Sequence, residues 1–358
     1  MLKKTIWLYS LLNIFLCIYA NNHYFFSNDQ LFMGATSVTN TYNSTAIIHN
    51  PALLTISGDK LKTFDLTASV SSTISENSMS KISFYNPLIQ FGTNIYFGYF
   101  IDIYSLIDSV EINSQKLINF QYNRHRLYTL GFSDQFNFAG LNYIGISLQY
   151  KLIDSIYDKY TGNNGVSFYL NENNIALNLS SLYYGVSYKT IRYDGIDFVI
   201  GYAKPISFLP GHDVTVGAVL SNVLGQYKGK KSILSEYVNQ TIHESLNIKL
   251  GLSFKLPGKK ISKNQSKPMI SIDYDMISEF DSILQKLHLG LKQNLFHNKF
   301  SYSVGYVHQN IVFGAKYKFL FLRKNKAEIN VGKSVFQNEF NEHYFYSNLS
   351  LNLKFYFN

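Results

Sequence analysis

From Leu349 to the C-terminus the chain alternates. Leu349, Leu351, Leu353, Phe355 and Phe357 fall on one side of an extended backbone, and Asn348, Ser350, Asn352, Lys354 and Tyr356 fall on the other. A period of two predicts a β-strand with one apolar and one polar face. The same pattern recurs upstream. Leu246, Ile248, Leu250, Leu252 and Phe254 oppose Asn247, Lys249, Gly251, Ser253 and Lys255, and Leu287, Leu289 and Leu291 oppose Lys286, His288, Gly290 and Lys292. Nearer the start, Phe64, Leu66, Ala68 and Val70 face away from Asp65, Thr67 and Ser69. Ile95, Phe97, Tyr99, Ile101 and Ile103 oppose Asn94, Tyr96, Gly98, Phe100 and Asp102. In the middle, Ile144, Ile146, Leu148, Tyr150 and Leu152 oppose Gly145, Ser147, Gln149 and Lys151.

These segments run about nine to eleven residues, the span of a tilted membrane strand, whereas strands of soluble sheets average about five or six. Alternation alone also fits a sandwich. It is the length, and the small or polar residues recurring on the second face, that favour a barrel. Between residues 175 and 188 the phase slips, because Ile175, Leu177 and Leu179 are odd while Leu182, Tyr184, Val186 and Tyr188 are even. A bulge or short turn near Ser180 and Ser181 is expected there.

Turns are expected at "SENSM" near Ser75, "YTGNNG" near Gly165, "RYDG" near Asp194, "LPGHD" near Gly211, "LPGKK" near Gly258 and "FHNK" near Asn298. The longest expected loops run from Gly225 to Glu244 and from Gly258 to Lys267; Ile233, Leu234, Tyr237 and Val238 suit the first to fold over a barrel mouth. No Pro- or Ser-rich linker divides the chain, so one barrel with an N-terminal appendage is the economical organisation.

Composition sharpens this picture. Hydrophobic residues make up 46%, aromatic residues 16% and charged residues only 15%, with 28 Phe and 29 Tyr. Soluble domains carry nearer about a quarter charged residues. The N-terminal "MLKKTIWLYSLLNIFLCIYA" has Lys3 and Lys4 before an apolar stretch ending at Ala20, the form of a secretory signal peptide. The alternatives are an uncleaved anchor or a lipoprotein acylated at Cys17. An exported, aromatic, charge-poor chain with no later apolar run of about 18 residues fits a membrane β-barrel. Cys17 is the single cysteine and lies within that leader, so the mature chain is expected to hold no disulfide and no thiolate site.

The net charge of +9 is dispersed. Its short clusters, at Lys228, Lys230 and Lys231, at Lys259 and Lys260, and at Arg323, Lys324 and Lys326, fall at expected turns and suit solvent or lipid headgroups; no nucleic-acid partner is expected. Nine histidines form no metal motif, so no metal or other cofactor is expected. His288 and His308 suit structural positions on strands. Asp273 and Asp275 share a strand face and are expected to line a lumen or pair with Lys286 or Lys292. Ser301 and Ser303 follow His297, but no nucleophile, base and orienting group can be read together, so no enzyme is expected.

The stretch "LFMGATSVTNTYNSTAIIHNPALLTI" holds a small-residue element, Met33, Gly34 and Ala35, and then Asn50, Pro51 and Ala52 just ahead of the first strand. With the leader and the strand pattern, this resembles the long-chain fatty acid transporter (FadL-like) superfamily, in its spirochaete and Bacteroidetes branches. "VTVGAVLSNVLG", from Val214 to Gly225, looks like that family's strand ending in an Asn-containing turn. The resemblance implies an all-β, antiparallel transmembrane barrel of fourteen strands with an N-terminal hatch inside it; the unaided count is roughly twelve to seventeen. The chain then divides into a signal peptide at 1–20, a hatch or plug segment at 21–59 and the barrel at 60–358.

Physically, Pro51 fixes its own φ and biases Asn50 away from helix, the Asn50 side chain can bond nearby backbone, and Gly34 permits close backbone approach. Such a corner suits either a hatch or an ordinary turn into the first strand. The resemblance implies passive uptake of hydrophobic small molecules such as long-chain fatty acids across a bacterial outer membrane, with membrane lipid and the ligand as partners. Tyr96 and Phe100 are candidate ligand-lining residues. The alternatives are a platform for a periplasmic or surface protein partner and a general diffusion porin, which would need charge rings at a constriction.

Overall fold

The computed structural model describes residues 33–356 except 34, 41–43, 58–62, 73–77, 87, 113–114, 159–162, 165, 170–179, 181, 187–189, 207–212, 232–240, 257–267, 278–281, 297–298, 308–309, 321–325 and 338–342. The leader with Cys17, Gly34, His297, His308 and the four apolar loop residues from Ile233 to Val238 lie outside them.

Fourteen long antiparallel strands carry the architecture. They are β1 (Thr63–Ser72), β2 (Ser78–Tyr85), β3 (Ile95–Ile112), β4 (Gln115–Asn137), β5 (Leu141–Ser155), β6 (Ile191–Ile206) and β7 (Val214–Ser221). The second half comprises β8 (Asn247–Lys255), β9 (Met269–Ile277), β10 (Leu287–Leu295), β11 (Phe300–Val307), β12 (Asn310–Leu320), β13 (Lys326–Gln337) and β14 (His343–Tyr356). Each pairs with its neighbours in the sequence. β14 returns to β1 with Thr63 opposite Tyr356, so the ladder closes on itself. Closure pairs the first strand with the last, as an apolar solvent requires of a sheet.

The two faces separate as alternation demands. On one side stand Leu130 and Phe132 of β4, Ile144, Ile146 and Leu148 of β5, Ile196 and Ile200 of β6, and Val304 and Phe313 of β11 and β12, all exposed. On the other, Thr129, Ser133, Ser147, Gln149 and Asp197 are buried. Polar residues inside and apolar residues outside invert a soluble core and match a wall in lipid. Aromatic rows mark its rims. The Tyr99 and Tyr128 rings lie 4.6 Å apart and the Tyr128 and Tyr150 rings 6.3 Å apart across three adjacent strands, while Tyr317 and Phe319 stack at 6.4 Å nearer the opposite rim. No helix among the described residues is long and apolar enough to cross a membrane.

The turns at 92–94 and 138–140 lie at the same end as the paired Thr63 and Tyr356, while the stretches that join Ser155 to Ile191 and Ser221 to Asn247 leave from the other, here called the long-loop end. In outer-membrane barrels short turns are periplasmic and long loops extracellular.

Three local expectations are corrected. "RYDG" is no turn but part of β6: a Cβ on Gly195 would strike Gln226 O and the Tyr227 ring, so this glycine admits a crossing segment rather than a reversal. "KGKK" lies on a short strand, Gln226–Lys231, paired with Ile191–Asp194, instead of in a loop. Where a slipped strand was expected, residues 182–186 are helical, because the Leu182 and Val186 spacing that reads as one strand face also fits one turn of helix.

Candidate functional site

The described residues from Met33 to Ser57 lie against the inner face of the wall. They form turns, a one-turn helix (Ala46–His49), a 3-10 turn (Pro51–Leu53) and a further helical turn (Leu54–Ser57). The break between the first two follows from Asn50, which is extended at φ −153 and ψ 93. Pro51 then starts the 3-10 turn, where its missing N–H leaves nothing unsatisfied.

Asn50 joins three pieces of backbone. Its Nδ2 donates to Val38 O at 2.6 Å and to Tyr202 O in β6 at 3.2 Å, and its Oδ1 accepts from Ala52 N at 3.1 Å. One fully buried amide thus ties the first half of the inner segment to the second, and both to the wall. Ala35 adopts a left-handed φ of 57, unusual for a residue with a Cβ.

The wall receives this segment through glycine. A Cβ on Gly145 would collide with the Pro51 and Ala52 backbone, and one on Gly201 with Asn50 Oδ1. One on Gly131 would approach Ile47 Cγ1 to 2.7 Å, and one on Gly217 would approach Val38 Cγ1 to 3.0 Å. One on Gly251 would strike Val38, and one on Gly290 would lie 2.5 Å from Met33 O. Because Gly145 stands opposite Gly201, and Gly217 opposite Gly251, the small residues form connected patches rather than isolated gaps.

Asp273 of β9 completes the seat. Its Oδ2 accepts from Ser37 N at 2.6 Å and from Val38 N at 2.9 Å. Asp275, two residues on, is held by Lys249 Nζ at 3.2 Å and His288 Nε2 at 3.1 Å. The luminal placement expected of these carboxylates holds; their expected partners Lys286 and Lys292 do not, because the register sets Lys249 opposite Asp275 and Lys292 opposite Met269. Further bonds join Thr55 Oγ1 to Ser133 Oγ at 2.7 Å, and Asn40 Nδ2 donates to Ser271 Oγ at 3.2 Å.

Tyr96 and Phe100 are both luminal. They pack in one apolar cluster with Ala46, Ile47, Ala52, Leu53 and Leu54 of the inner segment and with Leu127, Tyr143 and Ala203 of the wall. Phe100 is 0% exposed, so it meets protein rather than open space. Towards the long-loop end the lumen turns polar. Lys151 Nζ reaches Glu244 Oε2 at 2.7 Å and lies 5.1 Å from the centre of the Tyr227 ring. Burial pushes the Tyr227 phenol above its ordinary range, and its hydroxyl donates to Glu244 Oε2 at 3.1 Å. Beside it stand Ile153, Ile191 and Tyr193. Ser301 and Ser303 are buried on the luminal face. Among the described residues no group of three His, Asp, Glu or Cys could hold a metal.

Sequence reasoning singled out Asn50, Pro51, Ala52, Tyr96 and Phe100, and the structure brings them within one inner layer; Gly34 lies outside the described residues. It missed the receiving glycines. Their signal was present as glycines at the polar-face positions of β4 to β10, but nothing in the sequence said what approached them.

No family model matches the chain, and no curated protein matches it. Solved structures do share its outline. The toluene transporter TbuX of Ralstonia pickettii is 11% identical, with 93% of this chain and 98% of that chain covered and a TM-score of 0.48. The toluene transporter TodX of Pseudomonas putida is 12% identical, with 95% and 98% covered and a TM-score of 0.49. A FadL homologue of Pseudomonas aeruginosa is 8% identical, with 96% and 100% covered and a TM-score of 0.32. The chain resembles the FadL-like transporters. At TM-scores under 0.5 this likeness transfers no cargo and no site, and the barrel rests on its own strand pairing.

Proposed function

We propose that the chain is an outer-membrane barrel for passive passage of hydrophobic small molecules such as long-chain fatty acids, with residues 33–57 as a hatch. The observation that carries the reading is the apolar layer of Ile47, Leu53, Leu54, Tyr96, Phe100 and Leu127 that fills the barrel between the inner segment and the wall. A general porin calls for a wide polar channel with charged constriction rings, whereas an apolar layer with a few polar anchors suits a hydrophobic ligand. In this reading a ligand enters from the long-loop end and moves on as the hatch yields. Besides this apolar packing, Asn50 through Tyr202 O and Asp273 through the Ser37 and Val38 N–H groups tie the hatch to the wall by hydrogen bonds that can open locally without unfolding the barrel.

The test compares uptake of a radiolabelled long-chain fatty acid and of a sugar by cells producing the full chain in an outer membrane lacking its own fatty acid transporter. Fatty acid uptake well above the empty-vector level, with no sugar uptake, is expected. Uptake of neither, with the barrel folded by heat-shift gel, would overturn the reading; equal passage of both would favour a porin.

A further inference from the structure

The lipid-facing surface carries a cluster of charge that the uptake reading does not use. Arg124 and Arg126 of β4, Asp154 of β5 and Arg192 of β6 share parity with the exposed Leu130, Phe132, Ile146, Leu148 and Ile196, so all four project outward from the barrel. Asp154 is 1% exposed and sits beneath three guanidinium groups. Its Oδ2 accepts from Arg124 NH2 at 2.5 Å and Arg126 NH2 at 3.0 Å, and its Oδ1 accepts from Arg192 Nε at 2.6 Å. One carboxylate cannot neutralise three arginines, whose side chains keep 34%, 21% and 43% of their surface. Among the described residues Arg126 Nε has no hydrogen-bond partner.

The height of the cluster is informative. Arg126 precedes the Tyr128 of the aromatic row by two residues and Arg124 by four, on the side of the long-loop end. Ten residues separate Arg126 from Phe136 near the short turn; at about 3.3 Å each and a tilt of about 40°, that rises roughly 25 Å, the height of the apolar band of such barrels. The guanidinium groups therefore stand at the headgroup level of the leaflet facing the long loops. Positive charge continues sideways, with the exposed Lys228 opposite Asp194. Asp194 on this face accepts the Tyr150 hydroxyl at 3.3 Å.

Guanidinium forks fit phosphate oxygens in pairs, and fixed cations at a membrane surface attract anionic lipid. We propose that Arg124, Arg126 and Arg192, pre-positioned by Asp154, form a lipid-facing site for the phosphate of an anionic lipid headgroup in the outer leaflet. Asp154 acts here through the arginines: it holds three like charges together until a phosphate completes the pairing.

The full mature chain, purified in a neutral detergent, is exposed to phosphatidylglycerol or phosphatidylcholine and the retained lipid counted by native mass spectrometry. Retention of about one anionic lipid with a preference of about tenfold or more over the zwitterionic one is expected. Arg124→Gln/Arg126→Gln/Arg192→Gln together should reduce that preference to about twofold or less. A second variant adds Asp154→Asn, so that no unpaired carboxylate threatens folding, and both are checked for heat-shift on gels. Equal retention of the two lipids by the unaltered chain, or an undiminished preference in the folded quadruple variant, overturns the site. Inorganic phosphate competing as effectively as phosphatidylglycerol would overturn the lipid assignment in favour of a free-anion site. The outcome is independent of whether the barrel takes up fatty acid.

Discussion

The carboxylate of Asp273 accepts the backbone N–H of Ser37 at 2.6 Å across 236 residues of sequence. The same oxygen accepts the N–H of Val38 at 2.9 Å, so one wall side chain fixes a turn of the hatch through main-chain groups alone. Replacing Asp273 by Ala leaves two buried N–H groups without that acceptor, at about 1–3 kcal/mol each. Faster exchange of the Ser37 and Val38 amides, by roughly a hundredfold, is expected in hydrogen-exchange mass spectrometry. Asp273→Asn keeps a carbonyl acceptor and should lie between. Exchange unchanged in the Ala variant would remove Asp273 as an anchor.

Asn50→Ala deletes bonds to Val38, Tyr202 and Ala52 together. With about 1 kcal/mol net per bond, a loss of roughly 2–4 kcal/mol is expected, confined to the hatch. Limited proteolysis should cut within 33–57 sooner than in the unaltered chain, while the heat-shift of the barrel persists. A barrel that melts earlier with the hatch still protected would contradict this assignment of the bonds.

Gly145→Ala places a methyl group into the Pro51 and Ala52 backbone, where neither side has a flexible end to withdraw. Overpacking of this kind costs about 1–3 kcal/mol. Gly140→Ala meets nothing within 4 Å, yet is strained by its φ of +104, so it serves as a control for backbone effects at the short-turn end. In planar bilayers the Gly145 variant should show more frequent ion-conducting openings than the unaltered chain and than the Gly140 variant. Equal quiet in all three would mean that the seat tolerates a methyl group.

Ile146→Arg tests the outer wall. Ile146 is 44% exposed between the rims, and an arginine there is expected to destabilise the folded barrel by about 2–4 kcal/mol, against about 0–1 near an interface. Refolding into vesicles, followed by denaturant titration, should separate Ile146→Arg from Ile146→Val by that margin. Coincident titrations would place Ile146 away from lipid.

The strands were the most legible feature. In β5 the alternation of Ile144, Ile146 and Leu148 with Gly145, Ser147 and Gln149 assigns two faces without any knowledge of neighbours, because side chains on a strand must alternate. The helical turn at 182–186 and the strand at Gln226–Lys231 were not legible. The first is too short for its period to be unique. The second contains glycine and lysine and becomes a strand because β6 and Thr241–His243 pair with it.

The site divides in the same way. Asn50, Pro51 and Ala52 announce a rigid corner through local chemistry: a side chain that bonds backbone, a fixed φ and a small residue. Tyr96 and Phe100 stand out as large aromatics on a face otherwise small or polar. What faces the corner is a non-local fact. Gly145, Gly201 and Asp273 are separated from Asn50 by 95, 151 and 223 residues, and only barrel closure and register carry them to it. Sequence by itself therefore determined the period and length of the strands and their division into an apolar and a polar face, since those follow from alternation along one backbone; which face is inside came from closure. Tertiary structure decided which glycines admit the inner segment, which carboxylate anchors it and which arginines gather around Asp154, because each depends on pairing between strands that no single strand encodes.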